Sequence, residues 1–257
     1  MRIIPDVSAL SFKVLMRHKD VFLMQAKTSI IPPFLDPFFY LVGMGYGLGA
    51  LVSKIEGMTY VQFIAPAIIS SVMMTAPFFE NTIGSFIRLK HQKTFDAMVA
   101  TPVSIEDVVT GDILYGASRA LIQGTSVFIV VAIFGLVASW WGLLILPFCF
   151  VAGFMFGSIA ITYTAWMPDI NYVDYFFVIL MTPMFIFAGT FFPVSQLPAW
   201  GQKLAFFMPL YHVVNITRSL IVGHVSLLLL EDLLWMAIVT LVFYRLSLFM
   251  MRRRIMK

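Results

Sequence analysis

The sequence predicts an all-α integral membrane domain over residues 1–257. It has six transmembrane helices, an amphipathic interfacial helix before the first, and short outer re-entrant helices before the last. Three observations carry this. The chain is 60% hydrophobic and only 12% charged, whereas soluble domains average roughly 45–50% apolar and about 25% charged. Six apolar runs approach or exceed the ~20 residues needed to cross a hydrocarbon core. Lysine and arginine crowd one side of the resulting topology, as the positive-inside rule requires.

Taken in order, Ser8 to Phe22 interleaves Leu10, Val14, Met16, Val21 and Phe22 with Lys13, Arg17, His18, Lys19 and Asp20. This predicts a helix over 8–22 lying in the interface, its cations near anionic headgroups. Met1 to Asp20 lacks an apolar core followed by a small-residue cleavage site, so no secretory signal is expected. Spans fall near 29–51, 60–85, 111–137, 143–167, 173–192 and 228–249. Pro32, Pro33, Pro37, Pro66, Pro77, Pro147 and Pro183 are expected to kink them where neighbouring helices satisfy the freed carbonyls. Gly43 with Gly47, and Gly45 with Gly49, read as close helix packing. They lie inside an apolar span, without the strand and following helix that a phosphate-binding loop needs. Cys149, the one cysteine, reads as a small buried apolar residue.

Residues 86–110 interrupt the oil as a cytosolic loop. Arg88, Lys90, His91 and Lys93 come first, then Phe95, Ala97, Met98 and Val99 around Asp96, then Glu106 and Asp107. With the N-terminus inside, Arg2, Lys13, Arg17, Lys19, Lys27, Arg88, Lys90, Lys93, Arg252, Arg253, Arg254 and Lys257 are cytosolic. Lys54, Lys203 and Arg218 face outward. Both termini are therefore expected inside, which requires an even number of spans. Residues 193–223 are apolar but broken by Pro193, Pro198, Gly201 and Pro209, so no single helix survives there. They predict outer re-entrant helices with Trp200, Tyr211 and His212 at headgroup level.

Charge inside a span is costly and usually paired or functional. Glu80 and Arg119 each lie about 12 Å in from the cytosolic end at 1.5 Å rise per residue. A structural ion pair, a substrate-facing role and unrelated positions all remain open for them. His18, His91, His212 and His224 are scattered without metal-ligand spacing, and each reads as interfacial; no catalytic or metal site is expected. No GxxxxGK[ST] string occurs, so ATP cannot be bound here through a P-loop. A net charge of +4 spread around membrane spans gives no reason to expect a nucleic-acid partner.

Several motifs carry a family likeness. They are DPFFYLVGMGYGLG from Asp36, Phe79–Glu80, Arg88 with Lys93–Thr94–Phe95–Asp96–Ala97–Met98, and GTFFPVSQLP from Gly189 to Pro198. Pro209–Leu210–Tyr211–His212 with Arg218, and the terminal Arg252–Arg253–Arg254, complete the set. In these the chain resembles the membrane subunits of type 2 ATP-binding-cassette exporters, the ABC-2 permeases or type V exporters. The resemblance implies a non-enzymatic transport subunit of the bacterial inner membrane. It implies two copies of the chain on two cytosolic ATPase subunits that bind the ATP and magnesium, with no cofactor in this chain. It implies an outer element built on Gly189, Phe192, Pro193, Pro198, Tyr211 and Arg218. It also implies a coupling helix around Lys90–Val99, in which Phe95 and Met98 fill an apolar groove of the ATPase while Lys90, Lys93, Thr94 and Asp96 set the register. The cargo would be an amphiphile, such as a lipo-oligosaccharide or glycolipid, moving between two copies along spans one, two and five; a drug or antibiotic is the alternative. An ion-driven transporter would show buried midplane carboxylates and inverted repeats, and a lipid-modifying enzyme would show clustered His, Asp or Glu. The sequence has neither pattern.

Overall fold

The computed structural model describes residues 7–24, 32–47, 49, 51–52, 54–55 and 57–256. Of these described residues 82% are helical, and they contain no strand beyond one isolated bridge, Ile55 to Met58. Helix α1 spans Leu10–Met24. Its start is tied to the rest of the fold by Asp107, which accepts from the Ser8 amide at 2.6 Å and the Ser8 hydroxyl at 3.0 Å. The buried stripe is Ser11, Val14, His18 and Phe22, a run at helical spacing. Phe12, Met16, Leu23 and Met24 point outward. The helix is thus turned so that several large apolar side chains are free for lipid while a serine and a histidine face the protein beside Val14 and Phe22.

Helix α2, Pro32–Val42, runs into a π-helical turn at Gly43–Gly47; residues 29–31, 48 and 50 of the predicted first span lie outside the described residues. Of the expected glycine pairs, only Gly45 is tightly packed: a Cβ there would come within 2.8 Å of Val61. Gly43 and Gly47 face open space, so the packing expected for that pair does not occur within this chain. Helix α3, Tyr60–His91, starts at a Thr59–Gln62 capping box and carries π-helical segments at Glu80–Gly84 and Ile87–His91. It continues past the predicted end at 85, so the first cations of the polar island belong to the helix.

Lys93 adopts φ 51°, a left-handed backbone. That turn redirects the chain into the short α4, Thr94–Val99. Helix α5, Ile105–Ile133, begins at a second capping box, Ser104 with Asp107, inside the segment expected to be a loop to 110. Helices α6 (Trp140–Trp166) and α7 (Ile170–Phe187) follow, α7 with a π-helical segment at Phe177–Met181. Then come α8 (Ala199–Phe207), α9 (Pro209–Val222) and α10 (Leu229–Ile255). Five of these, α3, α5, α6, α7 and α10, are long and apolar enough to cross a membrane; α8 and α9 form a pair bent by 87°.

The bent pair folds back toward the end of the bundle from which it starts. The Arg218 guanidinium donates to the Gly189 carbonyl, just past α7, at 2.9 Å and reaches the Phe63 carbonyl near the start of α3 at 3.5 Å. Between those points the chain dips deeper, to where the Ser70 hydroxyl meets the Val213 carbonyl. It returns at Ile221, whose carbonyl accepts from the Ala138 amide in the loop between α5 and α6. Both ends of the segment therefore lie at the Tyr60 end of α3, and α4 lies at the other.

The packed centre is α3, α5 and α6, and one residue, Asn81, links all three through its side-chain amide and its backbone carbonyl. The Asn81 amide donates to the Asp112 carbonyl at 2.8 Å, while the Thr164 hydroxyl donates to the Asn81 carbonyl at 2.8 Å. Gly116 and Gly157 make room for it: a Cβ at Gly116 would overlap the Asn81 side-chain oxygen. Gly116→Ala is therefore expected to cost about 2–4 kcal/mol, combining overpacking with loss of a buried hydrogen bond. A fall in the thermal unfolding temperature of the detergent-purified protein would register this; an unchanged temperature would refute the clasp.

Candidate functional site

A buried charge network lies near the α4 end of the bundle. Glu80 reaches inward from α3 and meets Arg88, two turns further along the same helix, at 2.7 Å. Arg88 also contacts Asp112 of α5 at 2.9 Å. Asp112 has no exposed surface; it accepts from the Ser85 hydroxyl and stands 3.2 Å from His18 of α1. The His18 ring stacks on Tyr115 at 4.9 Å. Arg119 lies 3.9 Å from the other Glu80 oxygen and over the Phe22 ring at 5.0 Å. Two carboxylates thus face two guanidiniums in a low-dielectric setting, where an isolated charge would be prohibitive. The network joins α1, α3 and α5.

Next to it, Leu89, Phe95, Ile105, Val108, Val109, Ile161, Leu248 and Met251 form an apolar cluster that seats α4 on α5, α6 and α10. Phe95 is completely buried and Thr94 is buried beside it; Met98 is half-buried against the same cluster. Lys90, Lys93 and Asp96 are exposed, as are Ala97 and Thr101. The last helix is clamped to this end as well. Arg252 pairs with Glu106 at 3.0 Å, Arg254 donates to the Thr164 carbonyl, and Arg253 and Arg254 lie over Phe249 and Phe86. What the arrangement offers is a rigidly rooted helix with a charged outer face, held at the tip of α3 and wired to a charge cluster behind it.

At the opposite end, Gly189 takes φ +74°, a conformation glycine adopts without strain. Arg218 binds its carbonyl and stacks on Phe63 at 4.2 Å. Pro193 and Pro198 bracket the short turn Val194–Gln196 before α8, and Phe192 is half-buried there. Tyr211 is half-buried against the His212 ring.

A profile of the family described as ABC-2 type transporter matches residues 11–222. The chain belongs to the ABC-2 type transporter family. Among curated proteins it is similar to nodulation protein J of Rhizobium leguminosarum bv. viciae, 34% identical over 233 residues, 90% of each chain. Nodulation protein J of Sinorhizobium fredii (strain NBRC 101917 / NGR234) is 36% identical over 194 residues, 75% of this chain and 74% of that one. Inner membrane transport permease YadH of Escherichia coli (strain K12) is 26% identical over 194 residues, 73% of each. The chain is thus the multi-pass permease subunit of an exporter.

In this ABC-2 permease the structure changes several sequence expectations. Phe95 cannot fill a groove on another protein, because it is already inside this one; Met98 is committed largely to the same cluster. Glu80 does approach Arg119, but its shorter partner is Arg88, which reads in sequence as a cytosolic cation. His18 and His212 are buried within the protein. Asp112 and His18 were missed as members of the charge network. Asp112 carried a usable signal, a carboxylate inside an apolar run, while His18 carried one only through its spacing from Ser11 and Val14.

Proposed function

We propose that this ABC-2 permease exports an amphiphile such as a lipo-oligosaccharide or glycolipid, energised by a separate cytosolic ABC ATPase that binds the ATP and magnesium. In this reading two copies of the chain sit over two ATPase subunits in the bacterial inner membrane, with both termini in the cytosol. The observation that carries the reading is α4. It is a short helix rooted in the core by Phe95 with Asp96 on its exposed side, and Lys90 and Lys93 are exposed at the turn that leads into it, on a chain that has no P-loop of its own.

Sidedness is supported by the gathering of α1, α4 and the terminal arginines at one end of the bundle, where Arg252 meets Glu106. That end carries most of the cations, as a cytosolic face does. Helices α7 and α10 are mostly uncovered by the rest of the chain, leaving surface for lipid and for the second copy. An aromatic and methionine-rich composition suits an acyl-bearing cargo.

Movement of the ATPase would enter through the exposed charges at α4 and the turn before it and pass to α3 through the Arg88–Glu80–Asp112 network. The test is a Lys90→Glu, Lys93→Glu, Asp96→Lys variant. Copurification of the ATPase is expected to fall at least about tenfold, the equivalent of ~1.4 kcal/mol at the contact, while the permease remains monodisperse. Unchanged copurification would remove α4 as the docking element. In proteoliposomes, export should require ATP and persist with a proton uncoupler; export that the uncoupler abolishes would favour an ion-driven carrier.

A further inference from the structure

At the end opposite α4, one histidine ties together three helices. His212, on the first turn of α9, is 1% exposed. Its Nδ1 lies 2.5 Å from Asp232 Oδ1 on the first turn of α10. Its Nε2 lies 2.7 Å from the carbonyl oxygen of Phe206 in the last turn of α8. Trp235, one turn further along α10, stacks on the ring at 4.3 Å and 23°. Phe206 and Tyr211 pack edge-on, each at 5.2 Å.

A neutral imidazole has one N–H and one lone pair. Here both ring nitrogens face oxygen acceptors, and a backbone carbonyl can never donate. Both contacts are satisfied only when the pair holds one proton more than a neutral imidazole beside a carboxylate. We propose that His212 and Asp232 form a proton-dependent clasp that fixes the re-entrant corner between α8 and α9 onto the last span.

The aromatic stack fits this, since an indole face favours a cationic ring over it. Loss of the proton turns a nitrogen lone pair toward either the Phe206 carbonyl or the Asp232 carboxylate in a dry site. One of the two joints must then open, because a buried acceptor without a donor is expensive. Opening at Phe206 frees α8 from α9 at the 87° bend; opening at Asp232 frees the corner from α10. Other titratable groups toward this end of the packed helices are Lys203 on α8, Tyr211 and Arg218 on α9, Glu231 on α10 and Tyr60 on α3. Among the described residues, the polar groups recorded at hydrogen-bond distance from the ring are Asp232 and the Phe206 carbonyl. The docking of the outer element is therefore set by the pH at that face of the membrane, independently of what the permease carries.

Two readouts test it. Trp235 emission, taken as the difference between the wild type and Trp235→Phe, is followed from mildly acidic to alkaline pH. An imidazolium stacked on an indole quenches it, so a single-proton rise in emission is expected. That step should vanish in His212→Gln. In parallel, hydrogen exchange of residues 199–213, corrected for the intrinsic pH dependence of exchange, should rise at least about fivefold across the step, the factor by which an orphaned buried acceptor shifts an opening equilibrium. A flat emission profile, a step that persists in His212→Gln, or exchange that does not change would each overturn the clasp. If His212→Gln does not fold, the wild-type exchange profile decides alone.

Discussion

Asp112→Leu is expected to lower the stability of the permease by about 3–5 kcal/mol, the usual cost of stripping one partner from a buried ion pair. Asp112 has no exposed surface and holds Arg88 at 2.9 Å, with His18 beside the same oxygen and Ser85 on the other. Without it, Glu80 alone would face both Arg88 and Arg119, leaving one buried positive charge uncompensated. The informative control is the double variant Asp112→Leu with Arg88→Met, which removes one charge of each sign and keeps Glu80 beside Arg119. Because the residues form one network, the two substitutions should be strongly non-additive. The double variant is expected to recover more than half of the single variant's loss. Thermal unfolding in detergent, followed by gel filtration, measures both. A single-variant loss within about 0.5 kcal/mol, the range of an ordinary surface substitution, would mean the network carries no structural weight.

Phe95→Ala should be comparably severe, about 3–5 kcal/mol, because it empties a fully packed aromatic site. Phe95 is buried among Leu89, Ile105, Val108, Val109 and Met251. Its loss would unseat α4 and expose the Lys90–Lys93 turn, so trypsin should cut there sooner. Phe95→Leu, closer in volume, should cost less than about 1.5 kcal/mol and leave the turn protected. The substitution would also abolish ATPase coupling, although Phe95 itself touches only this chain. If Phe95→Ala kept its unfolding temperature and protease resistance yet lost the ATPase, the side chain would belong to the partner interface and its burial here would be the wrong guide to its role.

Much of the membrane architecture was legible in sequence for a simple reason. A bilayer imposes a length and an apolar composition on each crossing helix, so α3, α5, α6, α7 and α10 announce themselves as long runs. The breaks at Pro193, Pro198 and Pro209 likewise announced that 193–223 could not be one helix. The end of α3 was not legible. Arg88 looks like the first residue of a loop, because burial of a guanidinium is forbidden in isolation and permitted only by Glu80 and Asp112. Asp112 comes 24 residues after Arg88 in the chain, and no local pattern links them. The protein-facing side of α1 was not legible either, because the bilayer competes with the protein for exposed apolar side chains such as Phe12 and Met16; the stripe with Ser11 and His18 is the one that is buried. Phe95 was read as a docking residue because an aromatic in a polar island looks exposed; the cluster that buries it is assembled from α3, α5, α6 and α10.

By itself, then, the sequence determined what the bilayer and the backbone dictate locally: helical spans, their breaks, the segregation of cations, and the motifs that mark an ABC-2 permease. Only the tertiary structure decided which charges neutralise one another and which aromatic is root rather than contact. A charge or ring inside a membrane protein has no fixed meaning until its neighbours set the local dielectric and supply its partner. In Arg88, Phe95 and His212, that neighbour comes from a different helix each time.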